Sequence, residues 1–269
     1  MLTLDRRFTF RGQSVAWGAV GDGPPLVMVH GTPFSSQVWR RIAPLMASRR
    51  RVFFYDLLGY GQSEQKDGQD VSPVVQTTLF AALLREWGLD GPEILAHDFG
   101  GMTALRAHYL EGCGYSRLTL VDPVALPPSG SPFFRHVAVH EAAFAGLPDY
   151  AHEALLRGYL QGAAHDPLTA EAMGIYMGPW QGAVGRPAFY RQIAQMKDRY
   201  LEEIEASYRP MDWPVAILWG EQDRWIPISV GERLASRLTG GALTRVPGAG
   251  HLVQEDAPEA IVAALFQGL

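Results

Sequence analysis

Short apolar runs alternate with stretches of helical spacing along the first half of the chain. Residues 4–10 and 14–19 alternate or carry β-forming side chains, and they predict an opening hairpin. Strands separated by helices of about a dozen residues are typical of βαβ units and a parallel sheet. The pattern predicts such strands at 26–30, 52–55, 94–96 and 118–121, with helices at 39–47, 74–87 and 100–111.

This rhythm stops at residue 123 and resumes near residue 214. Helical stretches broken by Gly and Pro fill the interval, and no clean apolar strand occurs in it. The later part predicts strands at 215–219 and 243–246 and helices at 230–238 and 258–267. We therefore expect a core domain, formed by residues 1–123 and 214–269, and a helical lid formed by residues 124–213.

Composition narrows the function classes. The chain has 269 residues, of which 47% are hydrophobic and 19% charged, as in an ordinary globular protein. The formal net charge of −5 without a basic cluster argues against a nucleic-acid partner. No apolar run is long enough to span a bilayer, and residues 1–10 lack a signal-peptide core, so we expect a cytoplasmic protein that binds no membrane. The single cysteine and the absence of zinc-type spacing predict no disulfide and no metal.

The segment Ala96-His97-Asp98-Phe99-Gly100 follows a predicted strand and opens a predicted helix. This is the setting of a nucleophile elbow, a strained turn whose central residue needs small neighbours two positions before and after. Ala96 and Gly100 meet that requirement, and Asp98 is the central residue. An isolated Asp at a helix start is ordinarily an N-cap, so the catalytic interpretation depends on further matches.

Three other segments supply those matches. The loop His30-Gly31-Thr32-Pro33 follows an earlier strand, where such folds place one oxyanion-hole amide, and the residue after the nucleophile supplies the second. The amides of Thr32 and Phe99 are therefore the predicted donors. Asp223 follows the strand at 215–219 and is the predicted acid, and His251 lies in a glycine-flanked loop after the last strand. The order nucleophile, acid, histidine is the hydrolase order.

A second carboxylate competes with Asp223 as the partner of His251. Asp122 follows the strand at 118–121, directly before Pro123. It is an alternative acid, although an Asp at the end of a strand commonly caps the turn that follows. The sequence favours Asp223.

Taken together, these motifs resemble the α/β-hydrolase superfamily over nearly the whole chain outside the lid. The resemblance implies a mostly parallel twisted sheet flanked by helices, with a helical cap inserted after the sixth strand. The run His-Asp-Phe-Gly-Gly around Asp98 is similar to His-Asp-Trp-Gly-Gly of the epoxide hydrolase and haloalkane dehalogenase branch. That branch implies a covalent alkyl ester on Asp98, hydrolysed by water that His251 activates while Asp223 orients the imidazole.

The residues that would assist the leaving group separate the two activities. Dehalogenases hold the halide with a Trp after the nucleophile and with an Asn, Glu or Trp after the His-Gly, where this chain has Phe99 and Thr32. Epoxide hydrolases protonate the epoxide oxygen with two cap tyrosines, the second in an aromatic-Tyr-Arg run that Phe189-Tyr190-Arg191 matches. The resemblance thus makes Tyr190 the candidate general acid. The first cap tyrosine has no match, so that either a histidine of residues 133–140 is the expected replacement or the epoxide hydrolase assignment is wrong.

We therefore expect an epoxide hydrolase-like enzyme acting on a small, largely apolar molecule without a cofactor. A haloalkane dehalogenase-like hydrolase is the alternative, followed by an esterase-type or lyase-type enzyme in which Asp98 acts as a base. A non-catalytic ligand-binding protein is the remaining interpretation. The joint presence of Asp98, Asp223 and His251 argues against it, because a binding pocket does not need all three.

Overall fold

An eight-stranded sheet forms the centre of the computed structural model, which describes residues 1–267. The strand order is β1-β2-β4-β3-β5-β6-β7-β8, and all pairs are parallel except β1 with β2 and β2 with β4. The predicted fold class is confirmed. The strands are β1 (Arg6–Phe10), β2 (Gln13–Val20), β3 (Pro25–Val29), β4 (Arg51–Tyr55), β5 (Glu93–His97), β6 (Arg117–Val121), β7 (Val215–Gly220) and β8 (Thr244–Val246).

Helices follow the strands of the core much as the periodicity predicts. Their bounds are α1 (Ala43–Met46), α2 (Pro73–Glu86), α3 (Phe99–Glu111), α10 (Ile228–Leu238), α11 (Val253–Asp256) and α12 (Pro258–Phe266). The prediction of a single helix at 39–47 is wrong. A 3₁₀ turn, Ser36–Trp39, is followed by a separate helix that begins at Ala43, because Pro44 has no N–H to continue an earlier helical ladder.

Between β6 and β7 the chain is helical. The helices of this stretch are α4 (Pro132–Val139), α5 (Glu141–Ala145), α6 (Asp149–Gln161), α7 (Ala170–Met177), α8 (Gly182–Ala194) and α9 (Arg199–Glu205). Buried polar contacts tie the stretch to the core. The Trp180 indole donates a hydrogen bond to the Pro33 carbonyl at 2.6 Å. Arg40, which forms an ion pair with Glu255, also donates a hydrogen bond to the Tyr176 hydroxyl of the helical stretch. None of the helices within the described range is long and apolar enough to cross a bilayer.

The sheet register brings the functional loops to one edge. Val29 pairs with Ala96, His97 with Val121, and Val121 with Leu218, so β3, β5, β6 and β7 end side by side. These central strands are almost entirely buried, as expected for parallel strands covered on both faces. Ligand sites of open α/β sheets lie outside the carboxyl ends of the strands. The candidate side chains follow these ends.

Candidate active site

Asp98 occupies a strained turn between β5 and α3. Its backbone has a φ of 51° and a ψ of −119°, a conformation that non-glycine residues rarely adopt. The residue is 3% exposed and its side chain makes no capping hydrogen bond to α3, so the N-cap alternative does not describe it. Strain of this kind is concentrated at functional sites.

Two glycines make room for that turn. A Cβ at Gly100 would lie 2.3 Å from the Val29 carbonyl oxygen, and a Cβ at Gly31 would lie 2.3 Å from the Asp98 Cβ. Both distances are far below van der Waals contact. The absence of a side chain at each position therefore lets the β3 loop approach the Asp98 carboxylate.

That loop supplies a hydrogen bond to the carboxylate. The Thr32 amide donates to Asp98 Oδ1 at 2.7 Å. The Phe99 amide is at the first position of α3, where a helix has no internal acceptor for it. The structure thus places the Thr32 amide, one of the two predicted oxyanion donors, at the Asp98 carboxylate, and the Phe99 ring packs edge-on against Phe134.

His251 joins Asp98 to Asp223. Its Nε2 lies 3.3 Å from Asp98 Oδ2, and its Nδ1 lies 2.8 Å from Asp223 Oδ2. Complete burial alone would lower the pKa of His251, but the carboxylates of Asp223 and Asp98 outweigh it and raise the pKa well above its usual value. The three side chains are therefore in contact in the order Asp98, His251, Asp223, as a nucleophile, base and acid would have to be.

The loop after β7 fixes the Asp223 carboxylate. Asp223 Oδ1 accepts hydrogen bonds from the Trp225 and Ile226 amides at 2.7 and 2.9 Å. With one oxygen held by two amides, the other oxygen faces His251 Nδ1. A carboxylate held in this way orients the imidazole and stabilises its protonated form.

Asp122 lies beside this pair but does not bond His251. Its fully buried carboxyl accepts a hydrogen bond from the Gly220 amide at 3.0 Å. Burial, and then the charge of Asp223, raise the pKa of Asp122 well above its usual value. The geometry therefore pairs His251 with Asp223. The ligating atoms of Asp122, Asp223 and His251 lie within 4.8 Å of one another, but a metal ion would compete with the His251–Asp223 hydrogen bond.

A cavity of about 380 Å³ opens onto Asp98. Asp98 and Thr32 form part of its buried end, and apolar side chains form most of its wall. Pockets of this size and character bind small molecules. The apolar and aromatic side chains of the wall include Phe99, Val124, Leu126, Phe134, Tyr159, Met196, Trp225 and Ile226.

Tyr190, the general acid suggested by the resemblance, is not brought to this cavity. It is fully buried within the lid, and its hydroxyl lies 2.8 Å from His152 Nδ1. Gln192 lies two residues further along α8, about 200° around the helix, and it contacts Thr32 in the loop after β3 and Tyr60 in the loop after β4. Its Oε1 accepts hydrogen bonds from the Tyr60 hydroxyl, at 3.0 Å, and from the Thr32 hydroxyl.

Tyr159 on α6 is the tyrosine among the residues that line the cavity, and sequence reasoning missed it. Its ring stacks on Trp225 at 4.4 Å, and Trp225 in turn packs 5.1 Å from the His251 ring. Burial, and then the charge of Asp98, raise the pKa of Tyr159 far above its usual value, so the phenol keeps its proton. No motif surrounds Tyr159 in the sequence. The histidines expected as replacements, His136 and His140, are exposed on α4 and after its end.

The chain is similar to known proteins over most of its length. The model of the alpha/beta hydrolase family matches residues 26–264. Haloalkane dehalogenase 2 of Mycobacterium tuberculosis is 26% identical, with 92% of this chain and 88% of that protein covered. The crystal structure of an alpha/beta hydrolase fold protein from Burkholderia ambifaria has a TM-score of 0.98 and 62% identity, covering 99% of this chain and 98% of that one. The epoxide hydrolase CorEH has a TM-score of 0.78 and 21% identity over 97% of this chain and 96% of its own, which shows a shared fold.

Proposed function

Because the chain belongs to the alpha/beta hydrolase family, we propose that it hydrolyses a small, largely apolar epoxide through a covalent ester on Asp98. The family match and the dehalogenase relative support an enzyme of the dehalogenase and epoxide hydrolase-like branch. One observation carries the proposal. One carboxylate oxygen of Asp98 is held by the Thr32 amide and the other faces His251, at the floor of an apolar cavity.

In the first step, Asp98 Oδ2 attacks a ring carbon of the epoxide. The carbon–oxygen bond of the ring breaks, and the epoxide oxygen takes the proton of a neighbouring donor as the Asp98 ester forms. A carboxylate suits this attack on a saturated carbon, since no proton has to be removed from it beforehand. Asp98 Oδ1 becomes the ester carbonyl oxygen and stays at the Thr32 amide.

In the second step, water hydrolyses the ester. His251 takes a proton from the water, whose oxygen attacks the carbonyl carbon of Asp98. The negative charge that develops on Oδ1 is stabilised by the Thr32 and Phe99 amides, as in an oxyanion hole. Asp223 stabilises the protonated imidazole, which gives its proton to the departing diol. Asp98 is left as a carboxylic acid, and the loss of its proton restores both the carboxylate and the donor that protonated the epoxide oxygen.

Tyr159 is the donor that we assign to the epoxide oxygen, in place of Tyr190. It lines the cavity with Asp98, it keeps its proton, and its ring is held against Trp225. A neutral phenol at this position can protonate an oxygen as the carbon–oxygen bond breaks. The hydroxyl of Tyr190 is already paired with His152 inside the lid.

Haloalkane dehalogenation is the second candidate function. The 26% identity with haloalkane dehalogenase 2 of Mycobacterium tuberculosis favours it. Against it, the side chains at the two positions expected to hold a halide are unsuitable. Phe99 has no polar hydrogen on its ring, and the Thr32 hydroxyl already donates to Gln192.

A parallel screen of terminal epoxides and haloalkanes tests the proposal. Diol release from epoxides and halide release from haloalkanes are measured with the wild-type protein and with Asp98→Ala. We expect diol release by the wild type and none by the variant, which should fold because the elbow tolerates small residues. Halide release without diol release would support the second candidate. Release of neither product would overturn the covalent hydrolase proposal.

A further inference from the structure

Three arginines line the solvent-facing part of the cavity. Arg135 on α4, Arg224 in the loop after β7 and Arg233 on α10 all contribute to its wall, and all three are exposed. By contrast, Asp98 and Thr32, at the inner end, are 3% and 4% exposed. The cavity therefore runs from a buried carboxylate to a mouth with three positive charges.

These charges are not neutralised by acidic neighbours. None of the three arginines forms an ion pair with any residue of 1–267, and within that range the Arg135 side chain hydrogen-bonds only the Gly130 carbonyl. Asp98 is the one acidic side chain of the described chain that lines the cavity. A mouth lined by charges of one sign concentrates ligands of the opposite sign. This is notable in a chain whose own net charge is −5.

The loop that carries Arg224 is held in place by the catalytic acid. Asp223 binds the amides of Trp225 and Ile226, so the backbone on both sides of Arg224 is fixed. Arg135 and Arg233 come from two other elements, so three separate parts of the fold each contribute an arginine to the wall of this cavity. Guanidinium groups bind carboxylates through paired hydrogen bonds, which gives them geometric selectivity.

We propose that the substrate is an amphiphile whose carboxylate binds Arg224, Arg233 and Arg135 while its apolar chain extends inward to Asp98. The proposal deepens the proposed function, on which it rests, by naming the substrate class. Between the two ends the cavity wall is apolar, with Phe99 and Phe134 among its side chains, and can pack against the apolar chain of such a substrate. The negative charge of Asp98 disfavours the reverse orientation, because it repels a second carboxylate at the inner end.

Binding of a matched pair of ligands tests this proposal without relying on turnover. Octanoate and octanamide have nearly the same shape and differ in charge. Their dissociation constants are measured by calorimetry and by quenching of tryptophan fluorescence, since Trp225 lines the cavity. At low salt we expect octanoate to bind at least about tenfold more tightly than octanamide, which corresponds to about 1.4 kcal/mol. The preference should shrink as salt screens the arginines.

The double variant Arg224→Gln/Arg233→Gln should lose this preference. Arg237→Gln is the matched control, because Arg237 lies on the same helix, pairs with Glu205 and does not line the cavity. It should keep the wild-type preference. Equal binding of the two ligands by the wild type, binding of neither, or a preference that survives in the double variant would overturn the proposal. A charge preference without diol release in the epoxide screen would overturn only the proposed function.

Discussion

Replacing Tyr159 by Phe tests whether its phenol opens the epoxide. The ring that stacks on Trp225 at 4.4 Å is retained, and only the hydroxyl is lost. An alkoxide is a very poor leaving group, and a general acid typically contributes about 10²–10⁴-fold, or about 3–5 kcal/mol. We expect the rate constant for alkylation of Asp98 by a terminal epoxide to fall by that factor. Displacement of bromide from a matched bromoalkane should change less than about tenfold, because bromide leaves as a stable anion.

The assay is a quenched single turnover in which the alkylated protein is followed by intact mass. Tyr190→Phe is the control, because Tyr190 is buried in the lid and its hydroxyl pairs with His152. This change leaves a buried partner unsatisfied, so it should lower the free energy of unfolding by about 1–3 kcal/mol and leave alkylation unchanged. If Tyr190→Phe slowed alkylation as much as Tyr159→Phe, or if Tyr159→Phe slowed epoxide and bromide reactions equally, the assignment of Tyr159 would be refuted.

Two further variants and one pH profile test the packing and electrostatics of the site. Gly31→Ala should abolish turnover in a steady-state assay, because the added carbon would lie 2.3 Å from the Asp98 Cβ; full activity would contradict this. Asp122→Asn should keep turnover within about tenfold of wild type, because Asp122 accepts a hydrogen bond from the Gly220 amide and does not bond His251. Because burial and the charge of Asp223 raise the pKa of Asp122 in the folded protein, the wild type should lose stability as pH rises above about 4, the usual pKa of an Asp. Melts of the Asn variant should lack this contribution. The pKa of His251 is raised by Asp223 and also by the charge of Asp98, which is lost when Asp98 is esterified. The pKa of His251 should therefore be lower in the ester than in the free enzyme. Ester hydrolysis should reach half its maximum rate at a lower pH than the His251 pKa measured by NMR in the free enzyme.

The strands and the elbow could be predicted because their signals are local. Buried parallel strands form continuous apolar runs, and the elbow requires small residues at fixed offsets from Asp98. The order of the loops along the chain then indicated which side chains meet. The acid was harder, because Asp122 and Asp223 both follow strands that end at the same edge. Their loop geometry, with two amides holding Asp223, distinguishes them in the structure.

The lid could not be predicted to the same depth. Tyr190 and Gln192 are two residues apart on α8, and the sequence does not specify which face of this helix meets the core. Packing of α8 against the loops after β3 and β4 turns Gln192 toward Thr32 and Tyr60 and leaves Tyr190 with His152. Tyr159 lines the cavity with its ring stacked on Trp225, a residue that is distant from it in the sequence. Contacts of this kind depend on tertiary packing and have no local pattern.

The mass of the His251→Gln protein after exposure to an epoxide tests the covalent mechanism most directly. Without the base, Asp98 should still be alkylated while the water step stalls, because His251 acts on water and not on the nucleophile. The account predicts a stoichiometric adduct equal to the whole mass of the epoxide, located by peptide mapping on the peptide that contains Asp98. An unmodified protein that also fails to turn over the epoxide would contradict a covalent ester on Asp98.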